Sequence, residues 1–230
     1  MKVKVNGVEI YYQKLGKGHP LILLHGHHQD GGIFDKLVAP LSLYYTVVVP
    51  DMRGHGLSEG EASEHYQTEV EDLRAFISAL KLEKPYILGF GSGGLVALSL
   101  AAQAPELVSK IIVAGTYVNG NGVNAKHIAA NTIRGFFKGD RDSKVALRES
   151  HIPVETLKRI KTPTLCVVGE KDWVKVEHVR WYSQLLPNCR LVLMPRQTHY
   201  SYVVHSLKLL DLIKDFVKRA KKVALFFFLI

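Results

Sequence analysis

Polar and apolar residues alternate with a period of two over Lys2 to Val5 and again over Val8 to Lys14, and the intervening Asn6-Gly7 is a tight-turn signal, so the chain opens as a β-hairpin. Pro20 to Leu24 and Thr46 to Val49 are short continuous apolar runs, the pattern of strands buried on both faces of a parallel sheet. From Gln67 to Leu80 the period changes: Val70, Leu73, Phe76, Ile77 and Leu80 fall on one side of a helix. A strand over Tyr86 to Phe90 follows, then a small-residue helix from Leu95 to Ala104 and a strand over Lys110 to Ala114. Further on come a strand over Thr164 to Val168, a helix over Glu177 to Leu186, a strand over Arg190 to Met194 and a closing helix near Ser206 to Lys218. This alternation predicts an α/β fold, a mostly parallel sheet with helices on both faces. No internal repeat is visible.

Residues 116–161 interrupt the rhythm. They contain Asn119-Gly-Asn-Gly122, then a mixed segment with Phe136, Phe137 and several charges. The stretch is long for a connection and short for a domain, and reads as a small lid over the carboxyl ends of the strands, where ligands bind in such sheets. The two phenylalanines point to an apolar ligand or to plain packing. One domain over residues 1–222 accounts for the rest, with an apolar tail at 223–230. That tail, Val223 to Ile230, follows the basic cluster Lys218 to Lys222 and is too short to span a bilayer as a helix. It implies self-association, packing in a groove or contact with a membrane surface.

With 47% apolar residues among 230 the chain can bury a sizeable core. Its net charge of +9 is spread over many positions and comes with no nucleic-acid motif, so a solvated basic surface is the reading, and nucleic acid is not an expected partner. The two cysteines, Cys166 and Cys189, make neither a metal-ligand set nor a disulfide framework, and the start of the chain has no apolar signal segment, so a cytoplasmic location is expected.

Chemistry concentrates in a few places. Gly89-Phe90-Gly91-Ser92-Gly93-Gly94 joins an apolar strand to a helix through a glycine-rich turn, the shape of a nucleophile elbow. His25-Gly26 closes another apolar strand, Asp51-Met-Arg53-Gly54-His55-Gly56-Leu-Ser58 follows a third, Gly169-Glu-Lys-Asp172 a fourth, and Thr198-His199 lies past the last. In this order the motifs resemble those of the α/β-hydrolase superfamily across residues 20 to 217, and the resemblance implies that fold and an esterase-like activity on a small ester or related acyl substrate, without cofactor or metal.

By that resemblance Gly91 occupies the nucleophile position, His199 is the general base and Asp172 the acid that orients it. Glu170 and His205 are weaker candidates. The backbone N–H groups of His27 and Ser92 would form the oxyanion hole. Asp51 to Ser58 is chiefly structural in similar proteins, and Asp51 and Arg53 are expected to pair. The cluster His25-Gly-His27-His28-Gln29-Asp30 suggests a metal site at first sight, yet the His-x-His-x-Asp-His spacing fails at residues 29 and 30, so no metal is expected.

Glycine at position 91 relieves the strain of the elbow and deletes the hydroxyl. Three readings follow: a serine-hydrolase chain impaired because glycine replaces its nucleophile, by engineering or in nature; an active hydrolase using Ser92 in an elbow shifted by one residue; and a non-catalytic binding protein on the same fold.

Overall fold

The central apolar runs form strands because each can bury both faces at once, and partly exposed strands join them at the edges of the sheet. Together they are β1 (Lys2–Val5), β2 (Val8–Leu15), β3 (His19–Leu24), β4 (Tyr45–Pro50), β5 (Tyr86–Phe90), β6 (Lys110–Ala114), β7 (Thr164–Gly169) and β8 (Cys189–Met194). In the computed structural model, which describes residues 1–62, 65–126 and 151–218, these eight strands make one sheet in the order β1-β2-β4-β3-β5-β6-β7-β8. The hairpin strands pair antiparallel with each other and β2 pairs antiparallel with β4, while every other pairing is parallel. Asn6 and Gly7 both take positive φ at the hairpin turn, as the sequence predicts.

Successive residues of the central strands feed two separate cores. Ile22, Leu24, Val48 and Ile87 point to one side, where they meet α2 (Tyr66–Ala79), α3 (Ser92–Gln103), α4 (Val154–Arg159) and α5 (Val176–Leu185). Leu21, Leu23, Val47, Val49 and Leu88 point to the other, against α1 (Asp35–Ser42) and α6 (Leu210–Lys218). All nine of these strand side chains are at most 1% exposed, and burying each such aliphatic chain stabilises the fold by about 1.5–3 kcal/mol. The helix α3 is apolar all round, with Leu95 to Ala101 buried, because it lies between the sheet and α2. Its first turn can lie so close to β3 only because Gly93 has no side chain: a Cβ there would collide with the carbonyl oxygens of Leu24 and His25.

Several local expectations are corrected. Arg53 does not pair with Asp51; it makes two bonds to Asp72 on α2, at 2.7 and 2.8 Å. Asp51 instead accepts the backbone N–H groups of Gly31 and Leu57, each at 2.8 Å, so its charge is already used in holding its own loop. The closing helix starts at Leu210 and not near Ser206. The cause is upstream: His205 adopts φ +48° and donates its N–H to the Ile33 carbonyl at 2.8 Å, which ties the segment to α1's approach before a helix can begin. The last strand, expected from Arg190, starts one residue earlier at Cys189, whose sulfur lies 3.4 Å from that of Cys166, both as free thiols.

The described parts of the interrupted stretch are a 3₁₀ turn at Gly120–Gly122, a bridge between Val123 and Val174, and α4. Phe136 and Phe137, the middle of the expected lid, and the tail from Val223 to Ile230 lie outside the described residues. Among the described residues no helix is long and apolar enough to cross a membrane.

The Arg53–Asp72 pair is the strongest charged link between the loop after β4 and α2, with side chains only 16% and 2% exposed, and Asn6 donates to the same carboxylate at 2.9 Å. Truncating Asp72 removes both bonds from a partly exposed guanidinium that keeps the Asn6 carbonyl at 3.3 Å, so Asp72→Ala is expected to lower stability by about 1–3 kcal/mol in urea denaturation at neutral pH.

Candidate active site

The parallel strands deliver the candidate residues to one edge of the sheet, the carboxyl edge: β3 runs into His25, β5 into Gly91, β7 into Asp172 and β8 into His199. At the end of β5 the backbone of Gly91 takes φ +55° and ψ −119° and reverses into α3. That conformation disfavours any side chain. It is held from both sides, since the Gly91 N–H donates to the Ala114 carbonyl at 2.9 Å and its own carbonyl accepts from the Thr116 hydroxyl at 3.1 Å. Ser92 is the first residue of α3, and its φ is not positive. The sharp turn therefore falls on Gly91.

A Cβ built on Gly91 would have Gly26 Cα at 3.8 Å and His199 Nε2 at 3.9 Å as its nearest neighbours. An atom one bond further out could approach the imidazole to hydrogen-bonding distance. His199 is 4% exposed, and its Nδ1 lies 2.8 Å from Asp172 Oδ1. The same oxygen accepts the Val174 N–H at 2.9 Å, and Oδ2 accepts the Tyr202 hydroxyl at 3.2 Å. Burial, and then the Asp172 charge, raises the Tyr202 phenol well above its ordinary pKa, so it stays a donor. A carboxylate accepts, so in the neutral imidazole Nδ1 is the donor to Asp172 and Nε2 is the nitrogen left facing the elbow. Trp173 and Phe90 stack on the imidazole, with ring centroids at 4.0 and 4.6 Å, and fix its plane.

The two weaker candidates go elsewhere. Glu170 accepts the Arg196 N–H at 2.7 Å, and His205 is exposed beside Asp35 at 3.0 Å.

The histidine-rich loop after β3 is engaged by backbone. His25 Nδ1 bonds the Gly26 carbonyl and its Nε2 accepts the Met52 N–H, both at 2.8 Å, which fixes it as a neutral tautomer. Burial pushes its pKa down to about 4. His55 does the same work for the neighbouring turn, its Nδ1 meeting the Arg53 carbonyl at 2.8 Å and its Nε2 accepting the His28 N–H at 3.3 Å. Asp30 caps the 3₁₀ turn through Gly32 N. Among the described residues no group of three His, Cys, Asp or Glu side chains converges to hold a metal. Gly26 is carried against the elbow by this arrangement, and His27 follows it directly.

A cleft of about 800 Å³ opens beside the dyad, bordered by Asp172, Trp173, His199, Tyr200 and three lysines, Lys126, Lys171 and Lys175. Gly91, Ser92 and His27 are not among its walls, so it meets the dyad from the His199 side. Periodicity and motif spacing missed several contributors. Tyr202 and Thr116 carry no motif, but Tyr202 lies three residues after His199, and Thr116 just past the end of the strand that pairs with β5. His178, buried and lowered to about 4 mainly by desolvation, accepts the Val118 N–H at 3.2 Å. Glu69, fully buried on α2, is raised to about 7 by desolvation first and Asp72 second.

Comparison with known proteins gives a consistent result. The family model described as alpha/beta hydrolase fold matches residues 19–141. The chain is 28% identical to the human serine hydrolase BPHL, an alignment covering 94% of this chain and 86% of that protein. It is 35% identical to the pimeloyl-[acyl-carrier protein] methyl ester esterase of Vibrio parahaemolyticus, over 45% of this chain and 39% of that one. Among solved structures, the N-acyl homoserine lactone degrading enzyme Est816 superposes with a TM-score of 0.80 at 23% identity, covering 94% of this chain and 100% of that one. The enol-lactonase from Burkholderia xenovorans superposes with a TM-score of 0.80 at 18% identity, covering 95% and 100%.

The buried imidazole of His25 makes a pH prediction. Its pKa of about 4 in the folded state lies below the usual 6.5, so the unfolded chain takes up the proton first as the medium is acidified. The stability it confers is complete above pH 6.5 and is lost as the pH falls toward 4. Unfolding free energies measured from pH 7 down to pH 4 should show a His25→Gln variant losing about 3 kcal/mol less over that range than the parent chain.

Proposed function

Since this chain belongs to the α/β-hydrolase fold family, we propose that it binds a small ester or related acyl substrate at a Ser-His-Asp type site in which Gly91 stands where the nucleophile belongs. The observation that carries this reading is the 3.9 Å separation between a Cβ placed on Gly91 and His199 Nε2, with the backbone already in the elbow conformation. The base, its orienting acid and the turn are in register; the hydroxyl alone is missing.

In this reading the substrate carbonyl lies over Gly91, with its oxygen facing the N–H groups of His27 and Ser92. No acyl-enzyme can form. A water in the space left by the missing side chain gives its proton to His199 Nε2 while its oxygen attacks the carbonyl carbon. Asp172 stabilises the imidazolium, and the collapsing tetrahedral intermediate takes that proton back on the leaving alkoxide oxygen, giving acid and alcohol. Two N–H donors at an oxyanion contribute about 2.7–4 kcal/mol each where they have been removed by mutation, so turnover is slow but finite. The position of Ser92 inside α3 supports the Gly91 register over a shifted elbow. Substrate held without turnover is the second reading, favoured by the absent hydroxyl itself.

Gly91→Ser is expected to raise hydrolysis of short-chain p-nitrophenyl esters by at least about a hundredfold in kcat/KM, because the new hydroxyl falls beside Nε2. The same change should lower stability by about 1–3 kcal/mol, since a side chain must adopt the positive-φ turn. Gly91→Ala should lose stability to the same extent with no gain in activity. Ser92→Ala should matter little, because it keeps the backbone N–H. A parent chain that is already a brisk esterase, is abolished by Ser92→Ala and gains nothing from Gly91→Ser would overturn the proposal.

A further inference from the structure

The cleft beside His199 has an unbalanced charge. Among the described residues three of its walls are lysines, and the sole carboxylate is Asp172, whose oxygens are taken up by His199, Val174 N and Tyr202. Among the described residues no carboxylate lies within ion-pair distance of Lys126, Lys171 or Lys175. Lys175 Nζ is held at 2.9 Å by the carbonyl of Asn121, a neutral acceptor that leaves its charge uncompensated. Glu170, which precedes Lys171 in the sequence, accepts the Arg196 N–H.

The positions of these lysines are set by backbone pairing. Lys175 N donates to Gly122 O at 2.8 Å, Asn124 N to Trp173 O at 2.9 Å and Lys171 N to Gln197 O at 2.8 Å, around the bridge between Val123 and Val174. The two walls are thus stitched together, which brings the three lysine residues to one rim of the cleft. Trp173 and Tyr200 add aromatic surface between that rim and the imidazole. A cleft with low-dielectric walls and charge of one sign concentrates ligands of the opposite sign.

We propose that the substrate is an anionic ester: the part of the molecule lying in this cleft carries a carboxylate or a phosphate, which the lysines hold while its carbon chain crosses Trp173 and its ester reaches the elbow. This rests on the hydrolase reading of the same site. Ammonium groups are compact point charges without the planar fork that selects a carboxylate, so both anions belong to the class.

Binding tests this without requiring turnover. The chain has two tryptophans, so replacing Trp181 by Phe leaves Trp173, in the cleft wall, as the reporter. Titrations of that protein with monomethyl adipate, the methyl ester of 3-phosphonopropionate and neutral dimethyl adipate should give a dissociation constant about tenfold lower for at least one anion than for the diester. Raising NaCl from about 20 mM to about 0.5 M should erase the preference. The combined Lys126→Gln, Lys171→Gln, Lys175→Gln variant should lose it too, whereas Lys17→Gln, at the opposite end of the sheet, should keep it. Equal affinity for all three probes, or a preference that survives in the triple variant, would overturn the inference. If Gly91→Ser hydrolyses neutral p-nitrophenyl esters while the anions show no preference, the anionic specificity alone is wrong. If the anions bind preferentially and Gly91→Ser hydrolyses nothing, the hydrolase reading fails and the anion site stands.

Discussion

The turn at Gly91 is the constraint on which the rest of the site depends. A chain leaving a central strand at φ +55° must drop at once into a helix beneath the sheet, and that helix can pack only if its first turn has no side chains on the sheet side. Gly93 meets the requirement against the ends of β3. The bonds from Gly91 N to Ala114 and from Thr116 to the Gly91 carbonyl then lock the turn to the neighbouring strand. Everything else that faces the elbow is placed by strands in register with β5, so the position of one reversed residue fixes where the imidazole, the loop after β3 and the cleft converge.

Around that turn, charged and polar side chains are spent mostly on backbone. His25, His55, Asp51 and Asp30 each satisfy one or more main-chain groups in the loops after β3 and β4. Loops at the end of a sheet carry N–H and carbonyl groups that no ladder can pair, and buried unpaired groups cost about 1–3 kcal/mol each. Short polar side chains supply the partners. Within the cluster His25 to Asp30, the side chains of His25, Gln29 and Asp30 each bond main-chain groups.

The fold was legible because parallel strands and amphipathic helices leave periodic traces, and the order of the elements followed from those traces together with the hydrolase-like motifs. The α2 face through Val70, Leu73, Phe76 and Ile77 came from spacing, the hairpin from the residue types at Asn6-Gly7, and the position of Gly91 at the strand-to-helix turn from the resemblance to a hydrolase elbow. Pairings between distant residues did not. The partner of Arg53 proved to be Asp72, a residue on a helix surface whose spacing says nothing about a loop, and the start of α6 was set by a bond from His205 to Ile33. The three lysines were invisible as a group because Lys126 lies far along the chain from Lys171 and Lys175, and the backbone pairing around the Val123–Val174 bridge brings them to one rim.

The persistence of the Asp172–His199 pair does not by itself argue for catalysis. Asp172 also accepts from Val174 N and from Tyr202, and the His199 ring fills the space between Trp173 and Phe90. Removing either partner would leave a buried carboxylate short of a donor or a gap between two aromatic rings, so packing alone gives the dyad a reason to remain. The side of the imidazole that structure does not require is Nε2, which points at the slot above Gly91. A glycine there relieves the elbow of about 1–3 kcal/mol of strain and leaves room for a water or a carbonyl against a base whose orientation the fold maintains for its own sake. In the proposed reading, stability and latent chemistry draw on the same contacts, and what separates them is the hydroxymethyl group that a serine would add at residue 91.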